Sequence, residues 1–359
     1  MKRIAAAGAI AAVATAILIA FAAGSVQLGP TANRRSASDA EATRGLLGLL
    51  DNYDGGDYAA IGRDPTLARP DIYPTREEAA YREQRPLFGE LAWVGSLGDP
   101  DRVPITMAVL SVLAATFAVM ALGAVLVLRG ISPFFALGLF ALPAVPTTVY
   151  DMMPELLQLG LLTVGLLLWE RHPRRHTGWA IAAFSLAALT RESSLLVPLT
   201  LIAFELPRIR SRSTQSTIRL LAIPFLVYAS WITFVYARVG AWPFHSPSGG
   251  LTVVPFGGLV RALAHSSDRT STALWFAVGV CMLAGAVVRG RRDAWLGTVI
   301  AFAVMAVFMG STVWQRPDYF GRVLLPLYAY GVLIVASALW ERRGFVSLHR
   351  ARSPVRSVS

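Results

Sequence analysis

Two stretches of this chain, Val103 to Leu128 and Ala294 to Thr312, contain no charged residue. Each is long enough as a helix to cross a hydrocarbon core of ~30 Å. Runs of this kind constrain the fold more than any other feature of the sequence. The composition agrees: 55% of the residues are hydrophobic and 15% charged, where a soluble protein carries about 25% charged residues. Such a chain is neither disordered nor an ordinary cytosolic enzyme. With Cys281 as its only cysteine, it is not a disulfide-stapled secreted domain either.

The hydrophobic pattern predicts spans at 5–23, 103–128, 131–149, 155–169, 218–236, 272–288, 294–312 and 323–340. The stretch 179–205 differs, because Arg191-Glu192 divides it into two apolar runs, each short for a bilayer. It reads either as a hairpin turning at that pair or as one long span with a buried ion pair. Positive-inside bias favours the hairpin. With a cytoplasmic amino terminus, the inside segments then hold 18 basic and 4 acidic residues, and the outside 15 basic and 18 acidic. The net charge of +11 thus resolves into a basic inner side suited to an anionic lipid bilayer, and no nucleic-acid partner is expected.

The expected fold class is an all-α polytopic membrane protein of about eight spans plus a short helical hairpin, with a large first extracytoplasmic loop. Residues 1–23 form the first span, 24–102 the loop, 103–340 the multi-span domain and 341–359 a basic cytoplasmic tail, at the cell membrane with both termini inside. The start also fits a cleaved signal peptide, with Ala22, Ala23 and Gly24 after the apolar run. That run is long for a signal, which favours an uncleaved span.

The loop 24–102 holds 13 of the 22 acidic residues. Residues 31–43 read as a loose linker, whereas recurring aromatic and aliphatic residues from Leu46 onward predict order. Within it stands Asp51-Asn52-Tyr53-Asp54-Gly55-Gly56-Asp57-Tyr58. Carboxylates at spacing three, with two glycines between the last pair, can converge if the chain turns at the glycines. They can then serve as a general base or as ligands for a divalent cation; a solvated Asp/Gly turn gives the same pattern. Further on, Arg82 and Arg85 are expected to share a helix face near the membrane, where guanidinium groups suit phosphate. Snorkelling or pairing with loop acids is the plainer alternative.

Other charges lie at the outer ends of spans: Asp151 and Glu155, Arg191 and Glu192, Asp318 and Arg322. Charge at membrane depth is costly and so suggests function, although mutual ion pairs that clamp a bundle are equally consistent. All these clusters fall on one face of the predicted topology. The sequence has no zinc-like His/Cys cluster, P-loop, dinucleotide fingerprint or Gly-x-Ser-x-Gly.

These motifs, in this order, resemble the GT-C superfamily of membrane glycosyltransferases, and more closely its bacterial members that build cell-surface glycopolymers. The residues that carry the resemblance are Tyr53-Asp54-Gly55-Gly56-Asp57-Tyr58, Tyr81-Arg82-Glu83-Gln84-Arg85-Pro86-Leu87, Leu189-Thr190-Arg191-Glu192 and Gly321-Arg322-Val323-Leu324-Leu325-Pro326. The resemblance implies a GT-C-like bundle and an inverting enzyme. The donor would be a polyprenyl-phosphate sugar, and the acceptor a cell-envelope glycan or glycolipid at the extracytoplasmic face. It makes Asp54 the catalytic base, with Asp57 as second choice. Gly56-Asp57 departs from the family pattern and leaves the division between the two acids open. Arg82, Arg85, Arg191 and Arg322 would face the donor phosphate, supported by Asp51, Asp151, Glu155 and Glu192. The superfamily varies in its metal requirement, so no cofactor is specified and a divalent cation stays open. The competing classes are a lipid-linked oligosaccharide flippase or other transporter, and a non-catalytic partner in envelope glycan assembly.

Overall fold

The computed structural model describes residues 1–25, 45–52, 55–68, 73–171, 177–205, 214–243, 250–289 and 293–351. Among these residues the structure is helical, with no strand. The linker 31–43 and Asp54 lie outside the described residues.

Helix α1 (Lys2–Ser25) packs along α6 (Val103–Leu128). Ala7, Ala11, Thr15 and Ile19 are buried at intervals of four, a stripe of mostly small side chains that lets two helices approach closely. Gly8 marks the contact: a Cβ there would press on the Met120 side chain. Between these two helices the loop folds into α2 (Gly45–Asn52), α3 (Gly55–Arg63), α4 (Arg76–Glu83) and α5 (Leu87–Gly95). Order from about Leu46 was therefore legible. Thr75 caps α4 by accepting from the Glu78 amide at 3.1 Å, as expected of Ser/Thr followed three residues later by Glu.

The stretch 131–149 is not a straight helix. A 3₁₀ segment (Pro133–Ala141) and α7 (Ala144–Tyr150) meet at 82°. Pro143 explains the break, because a residue before proline is driven out of the helical region, and Leu142 is extended. Helix α8 (Glu155–Arg171) has 17 residues, about 25 Å. It carries buried Gln158 and Thr163, which bond to neighbouring segments instead of facing lipid. The Arg191-Glu192 break falls where the sequence put it. Helix α9 (Thr177–Thr190) ends, Arg191 is extended, and a 3₁₀ turn leads into α10 (Leu196–Glu205). The two limbs keep different company: α9 packs on α8 and on α11 (Thr214–Val239), and α10 on α14 (Ala294–Val307).

After α12 (Gly257–His265) and α13 (Arg269–Arg289), α14 covers Ala294–Val307 only. The short α15 (Ser311–Trp314) and α16 (Pro317–Val323) follow. Helix α17 (Leu325–Ala351) leaves α16 at 74°. Among the described residues four helices are long and apolar enough to cross a membrane, or six if each bent pair is one span. That is fewer than the eight spans read from hydropathy. The missing ones are the bent stretches and the two short, well-buried helices α8 and α14.

The bundle has two distinguishable ends. At one, the loop helices dock on the carboxyl-terminal half of α11: Trp231 Nε1 donates to the Glu83 carbonyl at 2.8 Å, and Arg238 Nε to the Thr66 carbonyl at 2.9 Å. At the other, Trp295 Nε1 donates to Glu170 at 2.7 Å, and Arg129 lies over the Trp295 ring and donates to Ser337.

Candidate functional site

Eight of the charged residues that the sequence placed on one face come together at the loop end, in four pairs. Arg82 meets Asp57 at 2.6 Å. Arg85 holds Glu192 in a fork, Nε to Oε2 at 2.7 Å and Nη2 to Oε1 at 2.6 Å. Arg191 Nη1 donates to Glu155 Oε1 at 2.5 Å, and Arg322 Nη1 to Asp151 Oδ2 at 3.4 Å. These contacts join the long loop to the 190s turn, that turn to α8, and α16 to the end of α7. Each pairs residues at least 25 positions apart in sequence, and helix ends rather than helix middles supply them.

Asp57 lies in the first turn of α3, where the helix dipole favours a carboxylate. Gly55 and Gly56 do not form the turn expected of them; they open α3. What they provide is close approach. A Cβ on Gly55 would overlap the Asp151 carbonyl oxygen, and one on Gly56 would crowd the Leu50 carbonyl. Gly55 is thereby seated against the backbone of Asp151, the residue that pairs with Arg322. Asp51 lies in the last turn of α2.

The shared helix face expected for Arg82 and Arg85 is not found. Helix α4 ends at Glu83 and Gln84 caps it, because Pro86 disfavours helical backbone at Arg85. The two guanidinium groups turn to different acids while both lie against the Tyr81 ring, at 5.9 and 5.5 Å. Burial alone would lower the Arg85 pKa; the charge and hydrogen bonds of Glu192 more than offset it and hold the group well above its ordinary value. Tyr58 is buried beside Arg85, packed edge-on to Phe88. Burial pushes its hydroxyl up to about 12, with Arg85 opposing.

Several residues of this cluster escaped the sequence reading. Gln158 Nε2 donates to Ser193 Oγ at 3.1 Å and to Ser194 Oγ at 2.9 Å, tying α8 to the 190s turn. Its visible sign was a lone amide in an apolar run. Tyr228 donates to Gln84 Oε1 at 3.2 Å. Tyr319 lies between Arg316 and Arg322, at 5.0 and 5.2 Å from their guanidinium carbons. Asp318 is drawn to Arg316 rather than to Arg322, at 3.0 Å.

No family model, curated protein or solved structure matches this chain. The chemistry of the cluster is read from its own geometry. Glu155 Oε2, Gln158 Oε1 and Arg191 Nε are buried without a hydrogen-bond partner among the described residues. They keep donor and acceptor capacity close to the Arg191–Glu155 pair. Near Gly321 a small recess, with room for about one water molecule, is lined by Leu142, Pro143, Trp275, Phe320 and Tyr328. Among the described residues no three metal-ligating side chains converge.

Proposed function

We propose that this protein is a membrane glycosyltransferase of the GT-C kind that takes a sugar from a polyprenyl-phosphate donor at the loop end of the bundle. The observation that carries the reading is the meeting of four arginines and their acids from distant segments around the start of α3, at Asp57. In this reading the loop end is extracytoplasmic, both termini are cytoplasmic, and the bent pairs and short helices complete the spans.

The chemistry asks for a base and for cations. The acceptor hydroxyl oxygen bonds to the anomeric carbon from the face opposite the phosphate, its proton passes to a carboxylate, and polyprenyl phosphate departs with the bonding electron pair. A positioned carboxylate contributes by general base catalysis. Asp54 takes that role, since the Asp57 carboxylate is engaged by Arg82. Arginines preorganised at the leaving phosphate stabilise its developing charge. Arg322, buried with its carboxylate partner Asp151 at the end of α7, is the arginine assigned to this role.

A second reading has its own observation. Arg191–Glu155 and Arg322–Asp151 are buried mutual pairs, and such pairs can clamp a bundle without doing chemistry. Asp54→Asn and Arg322→Lys separate the two readings. The transferase reading predicts loss of sugar transfer in both, with thermal stability close to that of the unmodified protein. Unaltered transfer in Asp54→Asn would remove Asp54 as base. A fall in stability alone in Arg322→Lys would make that arginine a clamp.

A further inference from the structure

From Leu251 into α12 the chain carries apolar side chains outward. Leu251 is 72% exposed, Val253 94% and Val260 64%, and Val254 and Phe256 are exposed as well. The segment is pinned to the end of α14: the Gly310 amide donates to the Gly250 carbonyl at 2.9 Å, Thr252 to Phe308 at 2.8 Å and Phe256 to Val307 at 2.7 Å. Phe256 has φ +58, a conformation costly for a bulky residue, and it stands where the chain enters α12. Gly258 seats α12 against Met309 and Gly310 so closely that a Cβ would overlap the Met309 carbonyl. The outward display of valine, leucine and phenylalanine is therefore built in.

We infer that residues 251–260 form an interfacial element that inserts into the lipid leaflet at the loop end of the bundle. The surface is continuous with one already apolar. On α14 the exposed side chains of Val304 and Phe308 stand one turn apart, and Phe308 is the residue that Thr252 bonds. Helix α13 continues the apolar surface with exposed Leu274 and Val280. Helix α12 is built for an interface plane. Gly258, Leu259 and Ala262 face the protein, Val260 faces away, and exposed Arg261 and His265 lie to one side, the division of an amphipathic helix at a headgroup boundary. The occupant of this surface is lipid, which accounts for both the apolar tips and the Arg261 guanidinium beside them. The inference is independent of any transferase activity.

The lone cysteine makes the test simple. In a Cys281→Ser background, Val253→Cys and Val260→Cys carry an environment-sensitive fluorophore, and Glu77→Cys on the exposed face of α4 serves as control. The full-length protein is placed in phosphatidylcholine nanodiscs with or without bromine in the acyl chains. Labels at 253 and 260 should emit to the blue of the label at 77 and lose intensity to bromine but not to aqueous iodide. Quenching by iodide equal to that at 77 would overturn the inference. Blue emission indifferent to bromine would also overturn it, by assigning the surface to a second copy or another protein.

Discussion

At the scale of single residues, the loop end is governed by where each carboxylate finds a cation. Asp57, Asp151 and Glu155 are buried against arginines. Glu83 is the buried acid that no arginine meets among the described residues; its Oε1 accepts from Tyr73 at 2.9 Å, and its Oε2 has no hydrogen-bond partner among those residues. Burial raises its pKa from 4.5 to about 8, the Tyr73 bond opposing and Asp57, Asp64 and Glu90 adding like-charge repulsion. The group is raised in the folded state, so folding is favoured most below pH ~4.5 and loses that contribution as pH rises to about 8. Glu83→Gln, which keeps an acceptor for Tyr73, should flatten the pH dependence of thermal stability across that window. An unchanged slope would show that Glu83 is not the group responsible. The Arg191–Glu155 pair is a separate test. Arg191→Met alone should cost about 3–5 kcal/mol, because it leaves a buried charge unpaired, while Arg191→Met with Glu155→Leu recovers most of it. Thermal unfolding in detergent, read as a double-mutant cycle, measures both.

At the scale of elements, what was legible follows from how local the cause was. The capped start of α4, the order of the loop from Leu46 and the break at Arg191-Glu192 each follow from a few neighbouring residues. The bends at 131–149 and 317–340 were less visible, since hydropathy averages over a proline that redirects the chain. Pairing of Arg82 with a loop acid was among the readings, but which acid, and the turn to Glu192 by Arg85, depend on α3 and the 190s turn arriving at the same place. Packing of the loop rests on glycines. A Cβ at Gly89 in α5 would strike the Ile61 side chain of α3, so Gly89→Val should separate these helices and lower stability by about 1–3 kcal/mol, as overpacking does. Gly138, where a Cβ meets nothing within 4 Å, is the matching control and should tolerate alanine. Equal losses at both positions would contradict close packing as the cause.

At the scale of the whole molecule, a helical bundle in which four to six described segments are long and apolar enough to cross a membrane brings four arginines and their partner acids to one end. The sequence made an all-α chain with long apolar helices legible, and eight of the charged residues that pair at this end. It did not show that the arginines are already matched to carboxylates, a feature that any bound phosphate must compete with or join. The central claim is that this end transfers sugar from a lipid phosphate. Its most direct measurement incubates the purified protein with a panel of polyprenyl-phosphate sugars and follows release of polyprenyl phosphate. One donor should be consumed by the unmodified protein and left intact by Asp54→Asn at equal thermal stability. Release that is equal in both proteins, or no donor consumed in the presence of glycan and glycolipid acceptors, would contradict it.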